Sequence, residues 1–178
     1  MRVVAGRWRG RTLRAPAGDR TRPTADKVRQ AWLNLVRLDV PGARAVDLYA
    51  GSGALGIEAL SQGAASCDFV EQAAPAIRTL RENLDALGAT PDEARVHRGD
   101  ALRFALALPA FGYDLAFADP PYALDAARRL AERWAEVPFA AVLGVEHHAR
   151  DPMPDGGDTR RYGTAAVTIY RAAPPGGS

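Results

Sequence analysis

The sequence is poor in the residues that staple a small protein or anchor it to a membrane. Its 178 residues include one cysteine, Cys67, so neither an intramolecular disulfide nor a cysteine-based metal cluster can form, and a reducing cytosol is the natural compartment. Cys67 reads as a small buried residue. Of the three histidines, His147 and His148 are neighbours and His97 lies on a different segment. Adjacent residues of a strand face opposite ways, so no metal site is expected. The longest apolar run, FAAVLGV at 139–145, is far short of the roughly 20 residues that cross a bilayer. MRVVAGRWRG at the start lacks the apolar stretch of a signal peptide. A cytoplasmic protein without membrane contact is expected, long enough to bury about 70% of its unfolded surface.

Lysine is almost missing: Lys27 is the only one among 23 basic residues, which high-GC codon usage accounts for. Codon usage does not sort charges along a chain, however. Residues 1–44 carry eleven Arg or Lys against three Asp, a surplus of eight in a chain whose net charge is +2. The remainder is therefore at −6. A basic segment on a mildly acidic body points to a polyanionic partner. Arg7, Arg9 and Arg11 are the candidate phosphate contacts, with Trp8 among them either stacking on a base or covering a hairpin. Arg22 and Arg29 flank PTAD, placed to hold a target phosphate or to close a ligand pocket.

RVVAGRWRGRTLRAP, broken by Gly6 and Gly10, reads as a basic hairpin. In RPTADKVRQAWLNLVRLD, Thr24 can cap a helix whose apolar stripe is Val28, Ala31, Trp32, Leu35 and Val36. Strands and helices then alternate: ARAVDLYA, ALGIEALSQG, SCDFVE, AAPAIRTLRENLDALG, ARVHRG, ALRFALAL, YDLAFA, LDAARRLAERWAEV, AAVLGVEHH, and two strands around Gly163. That order predicts a Rossmann-like, doubly wound α/β fold. Its sheet is mostly parallel with an antiparallel C-terminal edge strand. The expected division is a basic extension at 1–40, a main domain at 41–172 and a flexible tail at 173–178.

Ligands of such sheets bind outside the carboxyl ends of the strands, near the reversal of strand order. DLYAGSGALGIEAL places Gly51, Gly53 and Gly56 in G-x-G-x-x-G spacing between strand and helix, which permits a tight turn and close backbone approach. Glu71 ends the next strand and suits both hydroxyls of a ribose. Asp47, just before the turn, would repel a pyrophosphate and suits a ligand bearing an ammonium and a sulfonium. Asp100 ends the third strand and can accept from an adenine amine. At DPPY, Asp119 and the carbonyl of Pro120 can accept hydrogen bonds from an exocyclic amine as it rehybridises to attack a methyl group. Pro120 and Pro121 hold those acceptors rigid, and Tyr122 can stack on the base.

The DPPY run resembles the [DNS]-PP-[YFW] motif of amino-group methyltransferases. Together with GRWRGR, RPTADKVRQAWLN, DLYAGSGALGIEAL, VEHH and RRYG, the chain from Val3 to about Tyr170 is similar to the bacterial 16S ribosomal RNA guanine-N(2)-methyltransferases of the RsmD type. Where that family has a VEKD-like run, this chain has VEQAAP. The resemblance implies S-adenosyl-L-methionine as donor, S-adenosyl-L-homocysteine as product and no metal. It also implies one methyl transfer to a guanine amine of 16S RNA, in an assembled or assembling 30S particle. The catalytic residues are then Asp119, Pro120, Pro121 and Tyr122. The donor site is Asp47, Tyr49, Gly51, Ser52, Gly53, Leu55, Gly56, Glu71, Gln72, Asp100 and Ala101. A monomer is expected. The alternatives are a DNA adenine-N6 methyltransferase, a catalytically silent RNA-binding module on the same fold, and an NAD-dependent oxidoreductase.

Overall fold

The computed structural model describes residues 1–16 and 23–173, so Arg22 and the end of the expected tail lie outside the described residues, as does the side chain of the expected cap Thr24. The chain runs through α1 (Pro23–Leu35), β1 (Arg44–Leu48), α2 (Ala54–Ser61), β2 (Ser66–Glu71), α3 (Ala74–Leu87), β3 (Ala94–Arg98) and α4 (Ala101–Leu106). It continues through β4 (Tyr113–Ala118), a 3-10 turn (Tyr122–Leu124), α5 (Ala126–Glu136), β5 (Ala140–His148), β6 (Asp158–Tyr162) and β7 (Ala165–Arg171).

The seven strands lie in the order β3-β2-β1-β4-β5-β7-β6. The first five are parallel, and β7 joins β5 and β6 antiparallel. The expected antiparallel edge strand is therefore β6, with β7 enclosed beside β5. Strand order reverses between β1 and β4, which leaves a crevice above their carboxyl ends.

Alternation along the strands feeds two cores. Phe69, Leu115 and Phe117 face α1, α2 and α3 through Trp32, Ile57, Leu60 and Leu80. Val46, Val70, Ala116 and Leu143 face α4 and α5 through Leu102, Leu130 and Trp134. Nearly all of these side chains are withdrawn from water, and burial of that kind contributes about 1.5–3 kcal/mol per large apolar side chain.

The N-terminal hairpin is paired through an Arg2–Thr12 bridge and bonds from Val3 N–H to the Arg11 carbonyl and Leu13 N–H to that of Met1, both 2.9 Å, and from Gly10 N–H to the Val3 carbonyl at 2.8 Å. Val3, Trp8 and Leu13 belong to the first core. The backbone of this segment is received by polar side chains of the main body. Val4 N–H donates to Glu58 Oε1 at 2.7 Å, Trp8 N–H to Ser61 Oγ at 3.0 Å and Arg14 N–H to Asn83 Oδ1 at 2.8 Å. Glu58 and Ser61 lie toward the end of α2 that points away from the crevice, so the hairpin itself docks there, whereas its exit at Arg14 meets Asn83, whose amide also donates to the Ser52 carbonyl of the glycine turn.

Trp8 is 7% exposed beneath the Arg7 guanidinium, 4.0 Å above its ring. Trp8→Ala should therefore lower the unfolding free energy by about 3–5 kcal/mol, as buried aromatic truncations do. Urea unfolding followed by circular dichroism measures it. A loss below about 0.5 kcal/mol, the range of surface substitutions, would mean that the segment is not part of the folded core.

Candidate active site at the carboxyl edge of the sheet

Above β1 the chain turns sharply. Tyr49 takes φ 63° and Gly53 φ 85°, the left-handed region that costs a non-glycine residue energy. Asp47, 2% exposed, accepts a 2.9 Å hydrogen bond from the Gly56 N–H and so ties the start of α2 to the end of β1. Gly56 is required by contact: a Cβ there would lie 2.4 Å from Phe69 Cε1 and 2.7 Å from Cys67 Sγ. Of the three glycines of the turn, Gly51, Gly53 and Gly56, Gly51 alone has open space where a side chain would stand. The turn is also held from α3, where Asn83 Nδ2 donates to the Ser52 carbonyl at 3.0 Å. Asp47, Ser52 and Leu55 are buried under the turn.

Glu71, at the end of β2, is clasped by backbone donors. Its Oε2 accepts from Gly51 N–H at 2.9 Å, and its Oε1 from Gln72 and Ala73 N–H, each at 2.8 Å. A carboxylate offers about four lone-pair sites, so these three bonds orient it and leave capacity for a ligand hydroxyl. Asp100 caps α4, its Oδ1 accepting from Arg103 N–H at 2.7 Å.

At the end of β4, Asp119, Pro120 and Pro121 lead into the 3-10 turn that carries Tyr122. Tyr122 is 45% exposed, yet its hydroxyl donates to Glu146 Oε1 at 2.9 Å and its ring stands nearly perpendicular to that of His148, centroids 5.9 Å apart. Burial and the neighbouring Glu146 carboxylate push the Tyr122 hydroxyl far above its ordinary value.

One cleft of about 700 Å³ joins these strand ends, within the usual range for small-ligand sites. Of the expected site residues it is lined by Tyr49, Glu71, Gln72, Ala101, Asp119, Pro120, Pro121 and Tyr122. Asp47 and Asp100 stand behind and beside that wall. Among the described residues its ionisable lining consists of Glu71, Asp119, Glu146 and two tyrosines, without Lys, Arg or His.

Sequence reasoning passed over Glu146 as a site residue. The available signal was its place in VEHH, an acid near the carboxyl end of a buried strand. Among the described residues, the arginines expected to grip RNA do not line this cleft. Arg7 pairs with Glu93 at 2.7 Å, Arg11 donates to the Ala86 carbonyl, and Arg29, 8% exposed, pairs with Asp26 at 2.9 Å. Arg9 is exposed. No group of His, Cys, Asp and Glu able to hold a metal ion occurs among the described residues, and none of their helices is long and apolar enough to cross a membrane.

A glycine turn and an Asp-Pro-Pro-Tyr corner opening on one cleft, over a sheet reversed between β1 and β4, define a methyltransferase with a Rossmann-like fold. Comparison with known proteins narrows the class. The chain belongs to the family described as conserved hypothetical protein 95, the RsmD family, whose model matches residues 1–171. It is 40% identical to "Putative rRNA methyltransferase YlbH" of Bacillus subtilis, over 96% of this chain and 98% of that protein. It is 34% identical to "Ribosomal RNA small subunit methyltransferase D" of Escherichia coli K12, over 86% of this chain and 78% of that protein. The solved structure "Putative methyltransferase yhhF from Escherichia coli" superposes with a TM-score of 0.81 at 31% identity, covering 96% of this chain and 97% of that one. Fold and family imply S-adenosyl-L-methionine as the methyl source.

Two expectations follow from the turn. Burial raises the Asp47 carboxyl from 3.8 to about 7, against the Gly56 hydrogen bond that lowers it and with a further push from Glu71. The unfolded carboxyl titrates near 3.9, so from about pH 4 to 7 the unfolded chain sheds a proton that the folded one keeps. Asp47 therefore makes stability fall as pH rises through that window and level off above it. Asp47→Asn keeps an acceptor for Gly56 and should flatten this part of the profile, read from denaturant midpoints at pH 4.5, 6 and 7.5. A wild-type-minus-variant difference that does not change with pH would refute the raised value. Glu71→Ala should lower the melting temperature and also weaken the donor by about 1.5–3 kcal/mol, the range for hydrogen bonds to charged groups. Calorimetric titration with S-adenosyl-L-homocysteine checks the second effect, and an unchanged affinity would remove Glu71 from the donor site.

Proposed function

We propose that the protein transfers a methyl group from S-adenosyl-L-methionine to the N2 amine of a guanine in 16S ribosomal RNA, acting as a monomer on an assembled or assembling 30S particle. The observation that carries this reading is the meeting of Asp119, Pro120 and Tyr122 with Glu71 in one cleft whose ionisable lining is acidic or phenolic. Such a lining suits a cationic donor and an N–H-rich base edge. It opposes the pyrophosphate of a nicotinamide dinucleotide, for which a helix N-terminus free of competing anions is wanted. The names of the relatives, rRNA and small-subunit methyltransferases, support ribosomal RNA as substrate.

The donor brings an electrophilic methyl group on a positively charged sulfur. Glu71, oriented by three backbone N–H groups, accepts from ribose hydroxyls, with Tyr49, Gln72 and Ala101 as the adjoining wall. Gly51 admits the ligand to the backbone, since nothing occupies the space of its missing side chain. Ser52, Gly53, Leu55 and Gly56 shape the turn from below, Asp47 holds it, and Asp100 closes the adenine side.

Asp119 and the Pro120 carbonyl accept hydrogen bonds from the target amine. They localise its lone pair as nitrogen goes from planar to tetrahedral. Two successive prolines fix these acceptors in place before the base arrives, so little reorganisation remains for the transition state. Tyr122, pinned by Glu146, offers its ring as a stacking surface. Residues 1–40 supply the RNA contact, with exposed Arg9 as the least committed cation and Arg7, Arg11, Arg22 and Arg29 as the rest of the set. The methyltransferase unit then spans 41–172.

Labelled donor presented to naked 16S RNA, 30S particles and 50S particles, with mass analysis of the nucleosides, tests the assignment. N2-methylguanosine in small-subunit RNA is expected, and N6-methyladenosine in DNA would refute it. Asp119→Ala should lower kcat and kcat/KM together by about 10²–10³, or 2.7–4 kcal/mol, as loss of one preorganised electrostatic partner does. Donor and RNA affinities should stay close to wild type. Single-turnover transfer above about a tenth of the wild-type rate would place less than ~1.4 kcal/mol of the barrier on this carboxylate and reduce the corner to a rigid strand exit.

A further inference from the structure

Glu146 lies where the reading above leaves a question open, namely how the site tells one amine-bearing base from another. Strands β4 and β5 are parallel neighbours, with Ala118 opposite Val145. Glu146 is the next residue of β5, and Asp119 is the first residue after β4, so the two acids follow a paired position on adjacent strands. Both line the cleft. Glu146 Oε1 is engaged by the Tyr122 hydroxyl at 2.9 Å, and Oε2 has no hydrogen bond within the described residues. Burial raises the Glu146 carboxyl above its ordinary range, opposed by the Tyr122 hydrogen bond. The second oxygen belongs to a residue that lines the open cleft, and a carboxylate oxygen can accept from a donor that enters there.

The base edges differ at the position next to the reacting amine. In guanine the N2 amine is flanked by the ring N1–H, a donor. In adenine the N6 amine is flanked by N1, an acceptor. We propose that Glu146 reads the target base, one carboxylate oxygen held by Tyr122 and the other accepting the ring N1–H that guanine carries beside its amine. Asp119 and the Pro120 carbonyl serve the amine itself, so three acceptors meet three adjacent N–H bonds. An adenine placed with its amine at Asp119 would set the N1 lone pair against the Glu146 carboxylate, and this repulsion excludes it. The hydrogen bond to Tyr122 adds a second consequence. The residue that stacks on the base and the residue that reads its edge are locked together, so stacking and edge recognition are set in one geometry.

This inference rests on guanine as the target. Its test uses 30S particles reconstituted with 16S RNA in which the methylated guanine, once mapped, is replaced by 2-aminopurine. That analogue keeps the amine and turns ring N1 into an acceptor. The wild type should favour guanine by roughly 10- to 150-fold in kcat/KM, the discrimination expected from one hydrogen bond to a charged group. Glu146→Gln keeps an acceptor for Tyr122 and can turn an amide N–H toward the base. It should lose guanine activity and gain on 2-aminopurine, bringing the ratio to within a few-fold of one. Glu146→Ala should lose the discrimination without that gain. Affinity for S-adenosyl-L-homocysteine and the melting temperature of each variant report on folding. If guanine is methylated and both variants discriminate as the wild type does, the role of Glu146 is overturned and the proposed activity stands. If the wild type transfers to adenine and not to guanine, both fall together.

Discussion

The structure depends on a contact that leaves no room for a side chain. At Gly56 the first turn of α2 presses on Phe69 and Cys67 of β2, closer than any Cβ allows, and the Asp47 carboxylate holds that approach by accepting the Gly56 N–H. The constraint fixes where α2 begins and hence where the turn above β1 lies. Gly51 then comes within reach of Glu71, and Glu71 in turn reaches the first N–H groups before α3. A single buried carboxylate thus organises three elements around the cleft. It does so at a cost, because an ionised group without water is unfavourable, and the raised Asp47 carboxyl is the sign of that cost. The motif glycines consequently divide their labour: Gly53 and Gly56 permit packing beneath the turn, and Gly51 alone faces open space.

The cleft is a place of acceptors. Glu71, Asp119 and Glu146 face it with no cation among the described lining residues, while the basic side chains Arg7 and Arg11 are spent on the far end of the sheet, against Glu93 and the end of α3. These two arginines and the acceptors of the cleft are accordingly separated in space.

Much of this was legible in the sequence, for physical reasons that differ by element. SCDFVE and AAPAIRTLRENLDALG were readable because burial on both faces of a parallel strand and a 3.6-residue stripe leave strong periodic signals. Gly88 marks the end of α3 in the left-handed conformation expected of it. Asp119, Glu71 and Asp100 could be placed on one rim because each ends a strand. The hairpin was only half readable, since its conformation is decided by Glu58, Ser61 and Asn83, residues more than fifty positions away. The double duty of Glu71 was hidden for the same reason. Its bond to Gly51 spans twenty residues and exists only once β1 and β2 are paired. Glu146 escaped because its partner Tyr122 sits on an irregular turn whose direction no periodicity encodes.

The docking of the first residues has a consequence for the order of assembly during synthesis. Val4, Arg7, Trp8 and Arg14 are made before the residues they bond to, Glu58, Glu93, Ser61 and Asn83. Chains fold as they emerge, and contacts of long sequence separation form late. The N-terminal segment must therefore wait, undocked and strongly cationic, until Glu93 has been made and the β1–α2–β2–α3 unit has closed. For that interval a nascent chain carries its positive charge uncovered, beside a particle made largely of RNA. The Glu58 carboxylate, wholly buried in the finished protein, is the acceptor that ends this state by drawing the segment onto α2.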